Sequence, residues 1–149
     1  MLKLKCSRQV AAPPARVFQL ATDLRNAPGR VKAIKKMEVL TDGPIGKGTR
    51  FRETRVMFGK EATEVMEIVT FDPPRGYVVE ATSHGCHYRT EFRVTPAGEG
   101  TEFEMLFEGR PLTFMARVMG TLMKPLSRMM VKQCLKDLDD IADAAENPT

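Results

Sequence analysis

Glu53, Arg55, Tyr88 and Thr90, together with Arg8, fall on the apolar side of runs that alternate between apolar and polar residues. An ionised group on such a face costs several kcal/mol, as an order of magnitude, unless it is paired. Glu53 with Arg55 or Arg8 is therefore either a structural ion pair or a polar anchor for a ligand's carbonyl or hydroxyl. With the Tyr88 phenol, the same groups are of the kind an enzyme uses to polarise a carbonyl and carry protons from an enolisable carbon. Glu53, Arg55 and Tyr88 are thus the candidate catalytic residues. A satisfied pair at a cavity rim accounts for them equally well, and their spacing fixes no catalytic constellation.

Two other clusters invite chemistry and lose it on inspection. His84-Gly85-Cys86-His87 crowds metal-ligand types into one turn, but a structural zinc site wants four ligands, usually as two separated pairs, and Cys6 or Cys134 would have to supply the rest. A hairpin tip with solvated imidazoles is the plainer reading. Gly43-Pro44-Ile45-Gly46-Lys47-Gly48-Thr49 superficially resembles a phosphate-binding loop. The true motif needs Gly-Lys-Ser/Thr opening a helix, whereas here Gly48 intervenes and a strand follows. No metal and no cofactor is expected.

The elements that must position these residues can be read in order. Leu2, Leu4 and Cys6 alternate with Lys3, Lys5 and Ser7 as a strand, and Arg8 keeps the inward parity. Ala11-Ala12-Pro13-Pro14 ends it, and Pro14 suits the first turn of a helix in which Val17, Leu20, Ala21 and Leu24 share a face. That helix runs to about Asp23, with a further turn before Ile34. Six alternating runs then follow, at 36–41, 48–58, 61–71, 76–82, 86–95 and 101–109, separated by turn signals such as Asp42-Gly43-Pro44 and Ser83-His84-Gly85. Parity points Phe51, Glu53, Arg55 and Met57 inward on one run, Met66 and Ile68 on the next, then Tyr77, Val79 and Ala81. Tyr88, Thr90, Phe92 and Val94, followed by Phe103, Met105 and Phe107, complete that face.

The last stretch, Leu112 to Ala145, reads as one long amphipathic helix with two unlike halves. Its first half carries a polar stripe of Arg117, Thr121, Lys124, Arg128 and Lys132. Met115, Val118, Met119, Leu122, Met123 and Leu126 belong to an apolar face far wider than a surface helix normally buries. The second half has a thin seam of Cys134, Leu138, Ile141 and Ala145, with Lys136, Asp137, Asp139, Asp140 and Asp143 facing water. The wide face is expected to turn inward toward a guest, leaving the basic stripe solvated.

Composition agrees with a soluble, single-domain protein: 42% hydrophobic and 28% charged over 149 residues. The region 111–131 is interrupted by Arg117, Lys124 and Arg128, so no spanning helix is expected. Residues 1–10 lack the apolar run of a secretory signal, and three scattered cysteines fit a reducing compartment, which makes the cytoplasm the expected location. The net charge of +4 arises largely from the first 36 residues, yet with no tryptophan and two tyrosines there is little for bases to stack on, and no nucleic acid partner is expected.

Several stretches resemble the START-like superfamily, the helix-grip or Bet v 1-like fold, in its polyketide cyclase/dehydrase branch. They are Ala12-Pro13-Pro14-Ala15-Arg16-Val17-Phe18, the run from Leu40 to Arg52, Phe71-Asp72-Pro73-Pro74, the run from Thr95 to Thr101, and a final helix interrupted by Pro125. The resemblance spans nearly all of 1–149 and departs at Ala27, where the family often carries an aromatic residue. It implies an α+β fold in which a curved seven-stranded antiparallel sheet grips a long C-terminal helix, with two short helices after the first strand. It also implies an internal cavity for a hydrophobic ligand such as a lipid or polyketide.

The expected function is binding, transport or sequestration of such a ligand. The alternatives are a cyclase or dehydratase, a lyase-type enzyme, and an interaction module or quinone-chaperone-like protein at a membrane surface. The expected ligand contacts are the inward residues Phe51, Glu53, Arg55, Met66, Ile68, Tyr77, Val79, Tyr88, Thr90, Phe92, Phe103, Met105 and Phe107. Met115, Val118, Met119, Leu122, Met123 and Leu126 would contact the ligand from the helix. Peripheral contact with a membrane through the basic stripe is the remaining partner, and the sequence is silent on oligomeric state.

Overall fold

Alternation along the chain becomes seven antiparallel strands in the spatial order β1-β7-β6-β5-β4-β3-β2. The computed structural model describes residues 2–57, 59–123 and 127–147. The strands are β1 (Leu2–Val10), β2 (Ile34–Val39), β3 (Arg50–Met57), β4 (Lys60–Asp72), β5 (Gly76–Ser83), β6 (Cys86–Ala97) and β7 (Gly100–Pro111). The helices are α1 (Pro14–Ala21), α2 (Phe114–Met123) and α3 (Ser127–Glu146), and a 3-10 turn spans Leu24–Gly29. The sheet is open and curved around the terminal helix, as the helix-grip fold requires.

Each helix forms where its sequence allows. Pro14 opens α1 at a position whose missing N–H breaks no bond, and Val17, Phe18, Leu20 and Ala21 are buried against the sheet. Leu24 continues that face into the 3-10 turn and is buried as well. Along α3 the seam of Leu138, Ile141, Ala142 and Ala145 is buried in the same core.

Polar contacts fasten α3 along its length. Arg8 on β1 reaches Asp139 at 3.0 Å and Glu146 at 3.4 Å, and the Ala11 N–H donates to Glu146 Oε2 at 2.8 Å. The Lys32 N–H donates to Asp140 Oδ2 at 2.9 Å. Arg8 is thus turned toward the helix, as its parity indicates, but it serves α3 rather than Glu53.

Register sets the inner face in rows. Tyr77 lies opposite Phe92, which lies opposite Met105, and Val79, Thr90 and Phe107 form the next row. A register shift between Ile68 and Thr70 flips the parity of β4, so Ile68 is fully buried and Phe71 also turns inward, 5.3 Å from Phe18. Two glycines let the backbone close up at one end of the sheet. A Cβ at Gly76 would collide with the Phe92 carbonyl, and one at Gly100 with the Val10 carbonyl.

The terminal stretch is helical over α2 and α3, the described parts on either side of residues 124–126, but the direction expected for its wide apolar face is corrected. The wide apolar face of α2 points outward: Phe114, Met115, Val118, Met119 and Leu122 are all exposed. Pro125, Lys124 and Leu126 lie outside the described residues, as does the Met123 side chain.

Candidate functional site

The concave face, α1, the 3-10 turn and α3 line a half-open cavity of about 350 Å³, within the size range of small-molecule sites. Its wall is mostly apolar. Phe51, Met66, Tyr77, Val79, Phe92, Met105 and Phe107 line it from the sheet, as parity indicated. Ile68 and Phe103 point the same way but are fully buried in the core and stay off the wall. Met115, Val118, Met119 and Leu122 are also absent from it, which corrects the expectation that they contact a guest from the helix. The helical contribution comes instead from Met130, Cys134, Asp137 and Ile141 of α3, with Leu20, Ala21, Leu24 and Ala27 closing the side across from the sheet.

Glu53, Arg55 and Tyr88 converge on this one cavity. Arg55 is held from two elements: its Nη2 donates to Glu53 Oε1 at 3.2 Å and its Nη1 to Asp137 Oδ2 at 2.8 Å. Burial alone would make the guanidinium easier to deprotonate, but the carboxylates of Glu53 and Asp137 outweigh it and hold the proton more firmly than usual. Asp137 also accepts from Gln133 Nε2 at 3.1 Å. Asp137 was expected to face water and is instead buried. The missed signal is its spacing, three residues after Cys134 and four before Ile141, which places it beside the seam.

The aromatic wall carries two phenols in different states. The Tyr77 hydroxyl donates to the Ala21 carbonyl at 3.2 Å, tying β5 to α1, and burial together with the nearby Glu53 raises its pKa. Its ring stacks on Phe92 with centroids 4.7 Å apart. Tyr88 stacks on Phe107 at 5.8 Å, and burial, with the Cys86 thiol beside it, pushes its pKa up to about 12. Both phenols are therefore neutral donors at physiological pH.

A second guanidinium, Arg30, borders the cavity and is also paired, with Asp23 at 2.6 Å. Burial disfavours the ionised Asp23 carboxyl, but the Asn26 amide and Arg30 prevail and hold it below its ordinary value of 3.8. A carboxyl with a lower pKa folded than unfolded contributes stability above the unfolded value and loses it as pH falls through the folded one. The Leu24–Gly29 turn is therefore expected to loosen below about pH 4. Hydrogen exchange at the amides of this turn checks it, and protection that stays flat through that range would contradict it.

The His84-to-His87 turn joins β5 to β6. His84 Nδ1 lies 2.6 Å from Ser83 Oγ, and His87 Nδ1 lies 3.2 Å from Thr82 Oγ1. Among the described residues, no group of three or more His, Cys, Asp or Glu is placed to hold a metal. No helix there is long and apolar enough to cross a membrane.

The chain matches, over residues 1–145, the family described as polyketide cyclase / dehydrase and lipid transport. No curated protein matches it significantly in sequence. Among solved structures it is similar to TTHA0849 from Thermus thermophilus, with 24% identity, a TM-score of 0.76, and 98% of this chain and 100% of that one covered. The Zhui aromatase/cyclase from Streptomyces sp. R1128 is similar at 20% identity and TM-score 0.76, with 97% and 93% covered. Major latex-like protein 151 from Panax ginseng is similar at 17% identity and TM-score 0.77, with 98% of each chain covered. At these identities the likeness is one of fold.

Proposed function

The chain belongs to the polyketide cyclase / dehydrase and lipid transport family, and from that premise we infer that its 149 residues form one cytoplasmic domain that binds a small hydrophobic molecule in the cavity. One observation carries the reading. The apolar wall has two guanidiniums, Arg30 and Arg55, and both are already neutralised by carboxylates. Glu53, Glu64, Glu80 and Asp137 border the same space, so among the described residues carboxylates outnumber cations around it. An anionic guest would meet repulsion with no free partner among the described residues, whereas an uncharged one can use the Tyr88 and Thr90 hydroxyls.

The ligand is therefore an uncharged, largely apolar molecule with hydrogen-bonding groups, rather than a fatty-acid anion. A pair of dyes sharing one skeleton tests this. Neutral N-phenyl-naphthylamine is expected to bind at least about tenfold more tightly than its anionic analogue, anilinonaphthalene sulfonate. Equal affinities, or preference for the sulfonate, would overturn the charge argument, and no binding of either would overturn the cavity reading.

A second reading is ring closure or dehydration of a polyketide-like substrate, supported by the convergence of Glu53, Arg55 and Tyr88 on the cavity. In that reading Glu53 takes the proton from the enolisable carbon, the paired Arg55 polarises the carbonyl under attack, and Tyr88 protonates the alkoxide that forms. Release of a cyclised product from a poly-β-ketone thioester decides for it.

A further inference from the structure

Seven of the nine large apolar side chains exposed among the described residues fall between Leu112 and Met129. Phe114 is 78% exposed, Met115 70% and Leu122 68%. At 3.6 residues per turn, Phe114, Met115, Val118, Met119 and Leu122 occupy about 140° of arc on α2. The helix is fastened by another side: Ala116 is buried next to the Gly85 turn, and its N–H is capped by Thr113 Oγ1 at 3.1 Å. The apolar arc therefore faces away from the rest of the protein.

Along the chain on either side of that arc the charge has one sign. No Asp or Glu occurs between Glu108 and Asp137, while Arg110, Arg117, Lys124, Arg128, Lys132 and Lys136 all fall there. Of these, Arg110, Arg117, Arg128, Lys132 and Lys136 are exposed, and no described carboxylate lies within ion-pair distance of them. A second copy of the chain packed on this face would set cations against cations, because a two-fold contact brings the same surface together. Methionines on an exposed helix are also flexible enough to suit a fluid medium rather than one fixed partner surface.

We propose that α2 docks the protein on bilayers rich in anionic lipid, with Phe114, Met115, Val118, Met119 and Leu122 among the acyl chains and Arg110, Arg117 and Arg128 at the headgroups. The inference goes beyond ligand binding and is independent of what the cavity holds. It also gives the cavity an orientation. α2 follows β7 at the end of the sheet where Ala81, Tyr88 and Phe107 line the wall, so docking brings that end toward the membrane.

Flotation with vesicles of phosphatidylcholine alone, or mixed with phosphatidylglycerol, tests the proposal. The chain is expected to float with the mixed vesicles and to stay behind with neutral ones. Because it has no tryptophan, a Leu122→Trp variant gives a single reporter whose emission should shift to the blue only with the mixed vesicles. Met115→Glu with Met119→Glu should abolish flotation, and Arg117→Ser or Arg128→Ser should each weaken it about fivefold. These positions are exposed, so circular dichroism should be unchanged. Equal flotation with both vesicles, none with either, or flotation that survives the two glutamates would overturn the proposal. So would a dimer in light scattering that the glutamates disperse, because the face would then belong to a second copy.

Discussion

Arg55→Ala is expected to destabilise the protein by about 3–5 kcal/mol, because it strands two buried carboxylates. Glu53 is 8% exposed and Asp137 6%, and Arg55 is the cation that hydrogen-bonds both of them. The pair spans β3 and α3, so its loss also loosens the helix from the sheet. Urea unfolding of the two proteins measures the difference. The control is a triple replacement, Glu53→Gln, Arg55→Met and Asp137→Asn, which removes the charges together and should lose less than Arg55→Ala alone. A loss below about 1 kcal/mol for Arg55→Ala would show that water reaches the two carboxylates and that they are not stranded.

Phe103→Ala is expected to cost a similar amount, about 3–5 kcal/mol, for a different reason. Phe103 has no exposed surface, stacks on Phe92 with centroids 6.1 Å apart, and leaves a void when truncated. Parity placed it among the ligand contacts, but it stands behind the wall rather than on it. Phe103→Leu should therefore lose much less stability and keep its affinity for the neutral dye. A large change in dye affinity with stability preserved would move Phe103 back to the site.

The strands were legible because each has one buried face. The run expected at 76–82 is found at Gly76–Ser83, and that at 86–95 at Cys86–Ala97. The same periodicity brought Phe51, Tyr77, Val79, Phe92 and Met105 to one surface. What parity cannot show is depth along that surface, so Ile68 and Phe103 were assigned to the guest when they belong to the core. The helix was harder. An apolar arc declares that something covers it, but not whether the cover is the sheet or a medium outside, and for Met115, Val118, Met119 and Leu122 the direction was reversed. Asp137 was hidden by its neighbours, because four carboxylates in seven residues read as a solvated face until the register of α3 against β3 is known.

Gly76 and Gly100, where main chains meet with no room for a methyl group, lie at the same end of the sheet. Inside it the buried Val94 and Phe103 fill the space, which gives that end the shape of the toe of a sock. Tyr77 and Phe92 stand at its floor, and the wall opens from there through Val79 and Thr90 to Ala81 and Tyr88. A bulkier guest has room to lengthen toward the hairpin between β5 and β6. Molecular length would then be gauged from the toe, and residues around Ala81 decide how much tail protrudes.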